Sequence, residues 1–151
     1  MKKHDIVETS KMSMEYNGAL IDVERTAAVD LDNGRLVVRD GDTYKYPADA
    51  TVTELFLVHT PEKTYENVPL TEFYNKEGKK IRVSRIMIGD IFGTTSAVGA
   101  KKDDLLMVDS AGKLIKNVAG VVEFKVKEIR SIGGFPLTVV ERIKQSHNTQ
   151  L

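Results

Sequence analysis

The residues most suggestive of chemistry lie between Val29 and Asp42, in the run VDLDNGRLVVRDGD. Its aspartates offer the oxygen ligands that Ca²⁺ prefers, and an EF-hand loop needs such ligands at its first, third and fifth positions, glycine at the sixth and glutamate at the twelfth. Counted from Asp30, however, Gly34 falls at the fifth position, Arg35 at the sixth and Gly41 at the twelfth. We therefore predict no calcium site in this run. The aspartates concerned are Asp30, Asp32, Asp40 and Asp42.

The same run is better explained by backbone turns than by a metal. Asn33-Gly34 tolerates the positive φ angles of a tight hairpin turn, and Asp40-Gly41 repeats the signal. Between them, Arg35–Arg39 is a short aliphatic segment rich in valine, which favours a strand. The run is predicted to be a turn, a strand and a second turn.

Other reactive residue types form no recognisable set. Of the three histidines, His4 and His147 lie near the chain ends, and His59 is predicted to sit at the surface where a strand ends. The chain has no cysteine, and no G-x-S-x-G motif surrounds any serine. The residues predict no enzyme, with neither a catalytic, a cofactor-binding nor a metal-binding site.

Composition also restricts the partners. The 151 residues carry 22 basic and 22 acidic side chains and so have no net charge, which argues against direct nucleic acid binding. No run approaches the roughly 18 apolar residues of a membrane span. The two lysines near the start precede no hydrophobic segment, so no secretory signal is expected.

Turn signals recur every eight to twelve residues or so, a spacing typical of β-sandwiches and barrels. The chain is therefore predicted to be all-β: a compact barrel- or sandwich-like domain with few short helices and flexible termini. Strands are predicted within Thr51–Thr60, Lys80–Ile88, Asp104–Asn117, Gly120–Ile132 and Gly133–Lys144, and a short helix at Pro69–Asn75.

The clearest alternation lies within Gly120–Ile132. Phe124 and Val126 fall on one face, and Lys125 and Lys127 fall on the other. The alternation slips by one residue at Glu128, which predicts a β-bulge and gives Ile129 the inward position.

The ends of the chain are polar. We predict a flexible N-terminal arm over residues 1–13, a β domain over 14–144 that could comprise two small lobes meeting near 70–80, and a flexible tail over 145–151. The apolar residues in and beside the arm would be idle in solvent and are predicted to order on binding a partner. They are Ile6, Val7, Met12, Met14 and Tyr16.

Across Asp30–Ile129 the chain resembles the decoration, or cement, proteins of tailed-bacteriophage heads. The resemblance rests on NG-x-LVV followed by PAD and LFLV in the first half. In the second half it rests on GD-x-F, K-x-DDLL-x-V, GKL and V-x-EI.

The resemblance implies a structural protein made in the host cytoplasm and located on the exterior of the virion. Its partners would be the major capsid protein and neighbouring copies of itself, in a homo-oligomer such as a trimer. No cofactor is implied. An all-β tail or baseplate component and an OB-like nucleic-acid-binding or ligand-binding barrel remain the alternatives.

Overall fold

The computed structural model describes residues 7–12, 17–47, 54–60, 75–97, 99–116, 124–132 and 134–143. This part of the chain is all-β, as predicted, with two six-stranded sheets and one short 3₁₀ helix at Gly18–Leu20. The predicted helix at Pro69–Asn75 lies outside the described residues except for Asn75. The strands are β1 Val7–Lys11, β2 Ile21–Asp22, β3 Thr26–Ala27, β4 Leu36–Asp40, β5 Thr43–Lys45, β6 Phe56–Val58, β7 Val83–Arg85, β8 Ile91–Thr94, β9 Leu105–Val108, β10 Leu114–Lys116, β11 Phe124–Ile132 and β12 Phe135–Arg142.

The first sheet is antiparallel, in the order β1-β8-β12-β11-β9-β10. Phe124 and Val126 of β11 are buried, as the alternation predicted. The pairing register shifts between Val126 and Glu128, which confirms the predicted bulge. The inward position predicted for Ile129 is wrong, because this side chain is 41% exposed. β9 pairs only with the first two residues of β11, so β11 is an uncovered edge by the time it reaches Ile129.

The second sheet curls until its two ends meet, and it forms a small barrel. In the order β2-β7-β6-β4-β5-β3 the outer strands are β2 and β3, which follow each other closely along the chain. β3 pairs in parallel with β5, and Thr26 also bridges back to Lys80, just before β7. The carbonyl of Arg25 accepts from the amide of Ile81 at 3.2 Å, and the amide of Ala27 donates to Lys79 at 3.0 Å. Residues 21–27 therefore close the barrel between β7 and β5.

Closure gives the barrel strands two buried faces. Phe56 and Val58 point into the barrel interior, whereas Leu57 between them packs in the core shared with the first sheet. In the same way, Val83 packs in the barrel interior and Ile86 packs in the core shared with the first sheet. A strand buried on both faces is apolar without interruption, which explains why Phe56–Val58 shows no alternation.

Two predicted turns behave differently. At Asp40-Gly41 the chain forms the predicted hairpin, with Asp40 paired to Thr43 and Gly41 at φ +61°. At Asn33-Gly34 the chain does turn, but only Gly34 has a positive φ and Asn33 is buried. The predicted turn is present, but it does not close a hairpin, because β4 pairs with β5 and β6 and not with the strand that precedes the turn. The Asn33 side chain instead bonds to Thr60.

The N-terminal segment is part of the fold. β1 pairs with β8, so the prediction of a flexible arm is wrong for residues 7–12. Met12 is 0% exposed in the core between the sheets, and Val7 packs against that core. An edge strand that supplies a core side chain is already ordered without a partner. The proposed division into two lobes near 70–80 stays a prediction, since residues 61–74 lie outside the described ranges.

Candidate functional site: the barrel mouth

At one end of the barrel, the inward-facing positions of the strands are occupied by charged side chains. Val37 and Val83 point inward, so Arg39 and Arg85, two residues further along the same strands, lie on the same face. Asp22 is paired with Val83, and Tyr44 is paired with Arg39. We call this end the barrel mouth. It consists of Asp22, Arg25, Arg39, Tyr44, Phe56 and Arg85.

Asp22 is the centre of the hydrogen bonding at the mouth. One carboxylate oxygen accepts from the Tyr44 hydroxyl at 2.7 Å and from the Arg25 guanidinium at 2.6 Å. The other oxygen accepts from the backbone amide of Glu24 at 2.8 Å. Because the Asp22 carboxylate is ionised, these are hydrogen bonds of the stronger, charge-assisted kind. They fix the loop between β2 and β3, where the barrel closes.

These contacts set the ionisation of both groups. Burial raises the pKa of Asp22, but hydrogen bonds from Tyr44, the Glu24 amide and Arg25 outweigh it and lower that pKa to about 2. Burial and the bond to ionised Asp22 raise the pKa of the Tyr44 phenol well above its usual range. Near neutral pH the carboxylate stays charged and the phenol stays protonated. This chemistry suits fixed recognition better than proton transfer, which works best with a pKa near the working pH.

The arginines of the mouth stand beside an aromatic floor. Tyr44 and Phe56 meet edge to face, with ring centroids 5.1 Å apart. Arg85 lies over the Phe56 ring at 5.8 Å and donates to Glu54 at 3.1 Å. Nε of Arg25 and Nε of Arg39 both donate to the carbonyl of Gly41, at 3.2 and 3.3 Å. The turn between β4 and β5 thus holds two guanidinium groups side by side.

The opposite end of the barrel is filled by neutral amides. The Asn33 side chain donates to the carbonyl of Thr60 at 2.8 Å and accepts from its amide at 3.1 Å. Asn75 donates to the Asn33 side chain and to the carbonyl of Leu31, both at 3.1 Å. Asn33 and Asn75 are both buried. We call this end, made of Leu31, Asn33, Thr60 and Asn75, the sealed end.

His59 lies next to the sealed end and corrects a prediction. It was expected at the surface, but it is half-buried, and Nε2 is buried with no hydrogen-bond partner. Burial and the nearby Arg82 charge lower its pKa to about 4. The surface position is wrong because the chain directly after His59 is held against the sealed end, where the Asn33 side chain bonds to both the amide and the carbonyl of Thr60.

The predicted partner-binding residues fall into two groups. Met12 is enclosed in the protein's own core and Val7 packs against that core, so the prediction that they wait in solvent for a partner is wrong. Ile6, Met14 and Tyr16 lie outside the described residues, and for them it stays a prediction.

The four aspartates of the opening run are separated by the barrel. Asp40 and Asp42 flank the turn at the mouth, and Asp40 pairs with Lys45 at 3.3 Å. Asp32 precedes β4 beside the sealed end and lies 3.7 Å from Arg35, while Asp30 accepts from the amide of Glu77. Across the ranges described above, no three histidine or acidic side chains are grouped as metal ligands would be.

The mouth was missed because its residues are scattered from Asp22 to Arg85 and only barrel closure brings them together. One signal was available. An arginine that continues the inward phase of a strand, as Arg39 follows Val37 and Arg85 follows Val83, marks a rim position.

No family model, curated protein or solved structure matches the chain. None of the helical structure in the described ranges is long and apolar enough to cross a membrane.

Proposed function

We propose that the chain is a structural decoration protein of a tailed-bacteriophage head, which binds the outer surface of the capsid and stabilises the shell. The observation that carries the proposal is where the resembling segments lie. NG-x-LVV and LFLV supply β4 and β6 of the barrel, and GD-x-F, DDLL-x-V, GKL and V-x-EI supply β8 to β11 of the first sheet. The likeness therefore extends over both layers of the fold.

These segments also contact one another, both within the first sheet and in the core between the layers. Phe92 of GD-x-F meets Phe124 edge to face at 5.8 Å. The amide of Asp103 and the carbonyl of Asp104, both in DDLL-x-V, bond to Val126 of V-x-EI at 2.9 Å. Leu36 and Leu57 from the barrel pack in the same core. The resembling segments therefore share one core, while β1, β2, β3 and β12 lie outside Asp30–Ile129.

An exposed aliphatic patch offers this framework a docking surface. Met87 and Ile88 lie in the turn after β7, and the amide of Gly89 bonds to the carbonyl of Arg142 at 2.7 Å. Ile143 follows directly, and all three side chains are exposed, Ile88 by 58%. Clustered exposed apolar residues are typical of protein interaction sites. We assign the aliphatic patch of Met87, Ile88 and Ile143 to the contact with the major capsid protein.

The first test is co-purification. Virions, empty shells and detached tails of the phage that encodes the chain are separated on gradients, and the chain is quantified in each by mass spectrometry. We expect it on virions and shells. Recovery on tails would favour the tail or baseplate alternative, and salt-dependent retention of the free protein on DNA would favour the nucleic-acid-binding one.

The second test concerns the aliphatic patch. Ile88→Lys should weaken binding to purified shells by at least about tenfold, since it places a charge in a desolvated contact. Val29→Lys is the matched control, because Val29 is also exposed but lies toward the sealed end. Equal binding by the two variants would exclude the aliphatic patch, while absence from shells altogether would exclude the function.

A further inference from the structure

The barrel mouth opens onto a cavity of about 380 Å³. This volume lies within the range of roughly 300–1,000 Å³ found for small-ligand sites. Leu20, Ile21 and Val23 form one wall, Phe56 and Tyr44 form the floor, and three guanidinium groups stand around the opening. A site of this kind has an apolar part to hold a ligand body and a few polar groups to orient it.

Two of the three arginines at the mouth are paired with a carboxylate of the same chain. Arg25 is paired with Asp22 at 2.6 Å, and Arg85 with Glu54 at 3.1 Å. Arg39 donates Nε to the carbonyl of Gly41, and within the described ranges it forms no ion pair. Among the described residues, Arg39 therefore keeps a guanidinium charge at the edge of the cavity without a carboxylate partner.

The charges around the mouth favour a singly charged anion over a doubly charged one. Among the lining residues, three arginines face Asp22 and Glu24, which leaves one positive charge. Glu54 and Lys80, which pair with lining residues, cancel each other. Asp42 also lies close enough to Arg25 to help raise the pKa of that guanidinium, and including it brings the sum to zero. In the part of the chain that the structure describes, the mouth therefore offers one unpaired guanidinium, that of Arg39, and no surplus charge for a doubly charged phosphate.

We propose that the barrel mouth binds a carboxylate carried on an apolar body. The carboxylate pairs with Arg39, whose planar guanidinium matches its two oxygens. The body lies against Phe56 and the wall of Leu20, Ile21 and Val23. Such a group occurs both in small aromatic or aliphatic acids and at the C-terminus of a polypeptide that ends in an apolar residue. The proposal does not depend on the role in a phage head.

The test follows the backbone amide resonances of the ¹⁵N-labelled full chain by NMR while benzoate is added. We expect shifts at Arg25, Gly41 and Arg85, with a dissociation constant on the order of 1 mM or tighter. Phenyl phosphate should bind more weakly at neutral pH because of its second charge. Acetate should also bind more weakly because it lacks the body.

Two variants locate the site. Arg39→Gln should weaken benzoate binding by at least about tenfold and keep a folded spectrum, because Arg39 is exposed. Lys102→Gln, which also removes an exposed positive charge but from the loop before β9, should bind benzoate like the original chain. Absence of shifts with benzoate at about 10 mM, or equal weakening in both variants, would overturn the proposal.

A short peptide ending in phenylalanine then identifies the source of the carboxylate. Binding that is lost when the peptide is C-terminally amidated supports a polypeptide end as the ligand. Binding of benzoate without binding of the peptide supports a free small acid.

Discussion

At the sealed end of the barrel, buried amides satisfy one another, whereas at the mouth charged groups surround open space. Asn33 and Asn75 are almost fully buried and bond to each other and to backbone groups. At the mouth Asp22 and Arg25 keep part of their surface in solvent. The same barrel is thus closed by a network of neutral amides at one end, beside the largely buried Asp32–Arg35 pair, and is surrounded by more exposed ion pairs at the other.

The difference shows how stability and binding can be divided within one small barrel. A buried polar group that loses its partner costs its full desolvation, about 1–3 kcal/mol, so the neutral network resists change. Ion pairs near solvent contribute much less, commonly about 0–1 kcal/mol, so their residues can serve a ligand at little cost to the fold. We expect variants at the sealed end to affect folding and variants at the mouth to affect binding.

The largest effect is expected from Asn33→Ala. It removes the partner of the backbone amide and carbonyl of Thr60, which are part-buried, and of the buried side-chain amide of Asn75. The free energy of unfolding, measured in urea, should fall by roughly 3 kcal/mol or more. Asn17→Ala, which removes an exposed cap of the 3₁₀ helix, is the control and should cost about 1 kcal/mol. Equal losses would mean that the sealed end is not a specially stabilising network.

The next effect is a pH dependence at His59. Its pKa is lowered from 6.5 to about 4 in the folded chain, so between these values the unfolded chain binds the extra proton. Stability due to neutral His59 is complete above pH 6.5 and is lost as the pH falls toward 4, by roughly 3 kcal/mol in total. The difference in unfolding free energy between the original chain and His59→Gln should shift by this amount across the window. A constant difference would contradict the lowered pKa.

A smaller effect is expected at the mouth from Tyr44→Phe. The variant keeps the buried ring and removes the hydrogen bond to Asp22, and it should cost about 1–2 kcal/mol at neutral pH. Because ionised Asp22 accepts that bond, the stability it supplies is present above the ordinary pKa of 3.8 and is lost as the pH falls toward 2. An NMR titration of the Asp22 carboxyl carbon should show its pKa raised in the variant. An unchanged pKa of Asp22 would show that the Tyr44 hydroxyl does not lower it.

The smallest effect is expected from Val23→Thr on the wall of the mouth. Val23 is 49% exposed, so the free energy of unfolding should change by no more than about 0.5 kcal/mol. The same substitution at Val58, which is fully buried in the barrel interior, places a hydroxyl among apolar groups and should cost about 1–3 kcal/mol. Thermal melts of the two variants give the comparison, and a large loss at Val23 would show the wall to be core.

The sequence predicted the first sheet better than the barrel, for a physical reason. β11 is buried on one face, so Phe124 and Val126 alternate with lysines and even the bulge before Glu128 is visible. The barrel strands are buried on both faces, and alternation disappears where Phe56 and Leu57 enter different cores.

Closure itself could not be predicted from local patterns. It depends on backbone bonds between the segment around Arg25 and the segment around Ile81, more than fifty residues apart. The mouth and the sealed end both follow from this pairing, so neither was predicted. Ile129 was misplaced for a related reason, since its burial depends on where a neighbouring strand stops.

Closing the barrel also removes sheet edges, which are the usual starting points for unwanted strand addition between molecules. Among the described strands, edges remain at β1, at β10 and along the second half of β11, beyond its pairing with β9. That part of β11 carries Lys127, Glu128 and Arg130. β1 is broken in register between Glu8 and Lys11, and β10 has only three residues and ends in Lys116. Short, irregular and charged edges are poor templates for another chain. Many copies could therefore be concentrated on one surface without strand pairing between molecules.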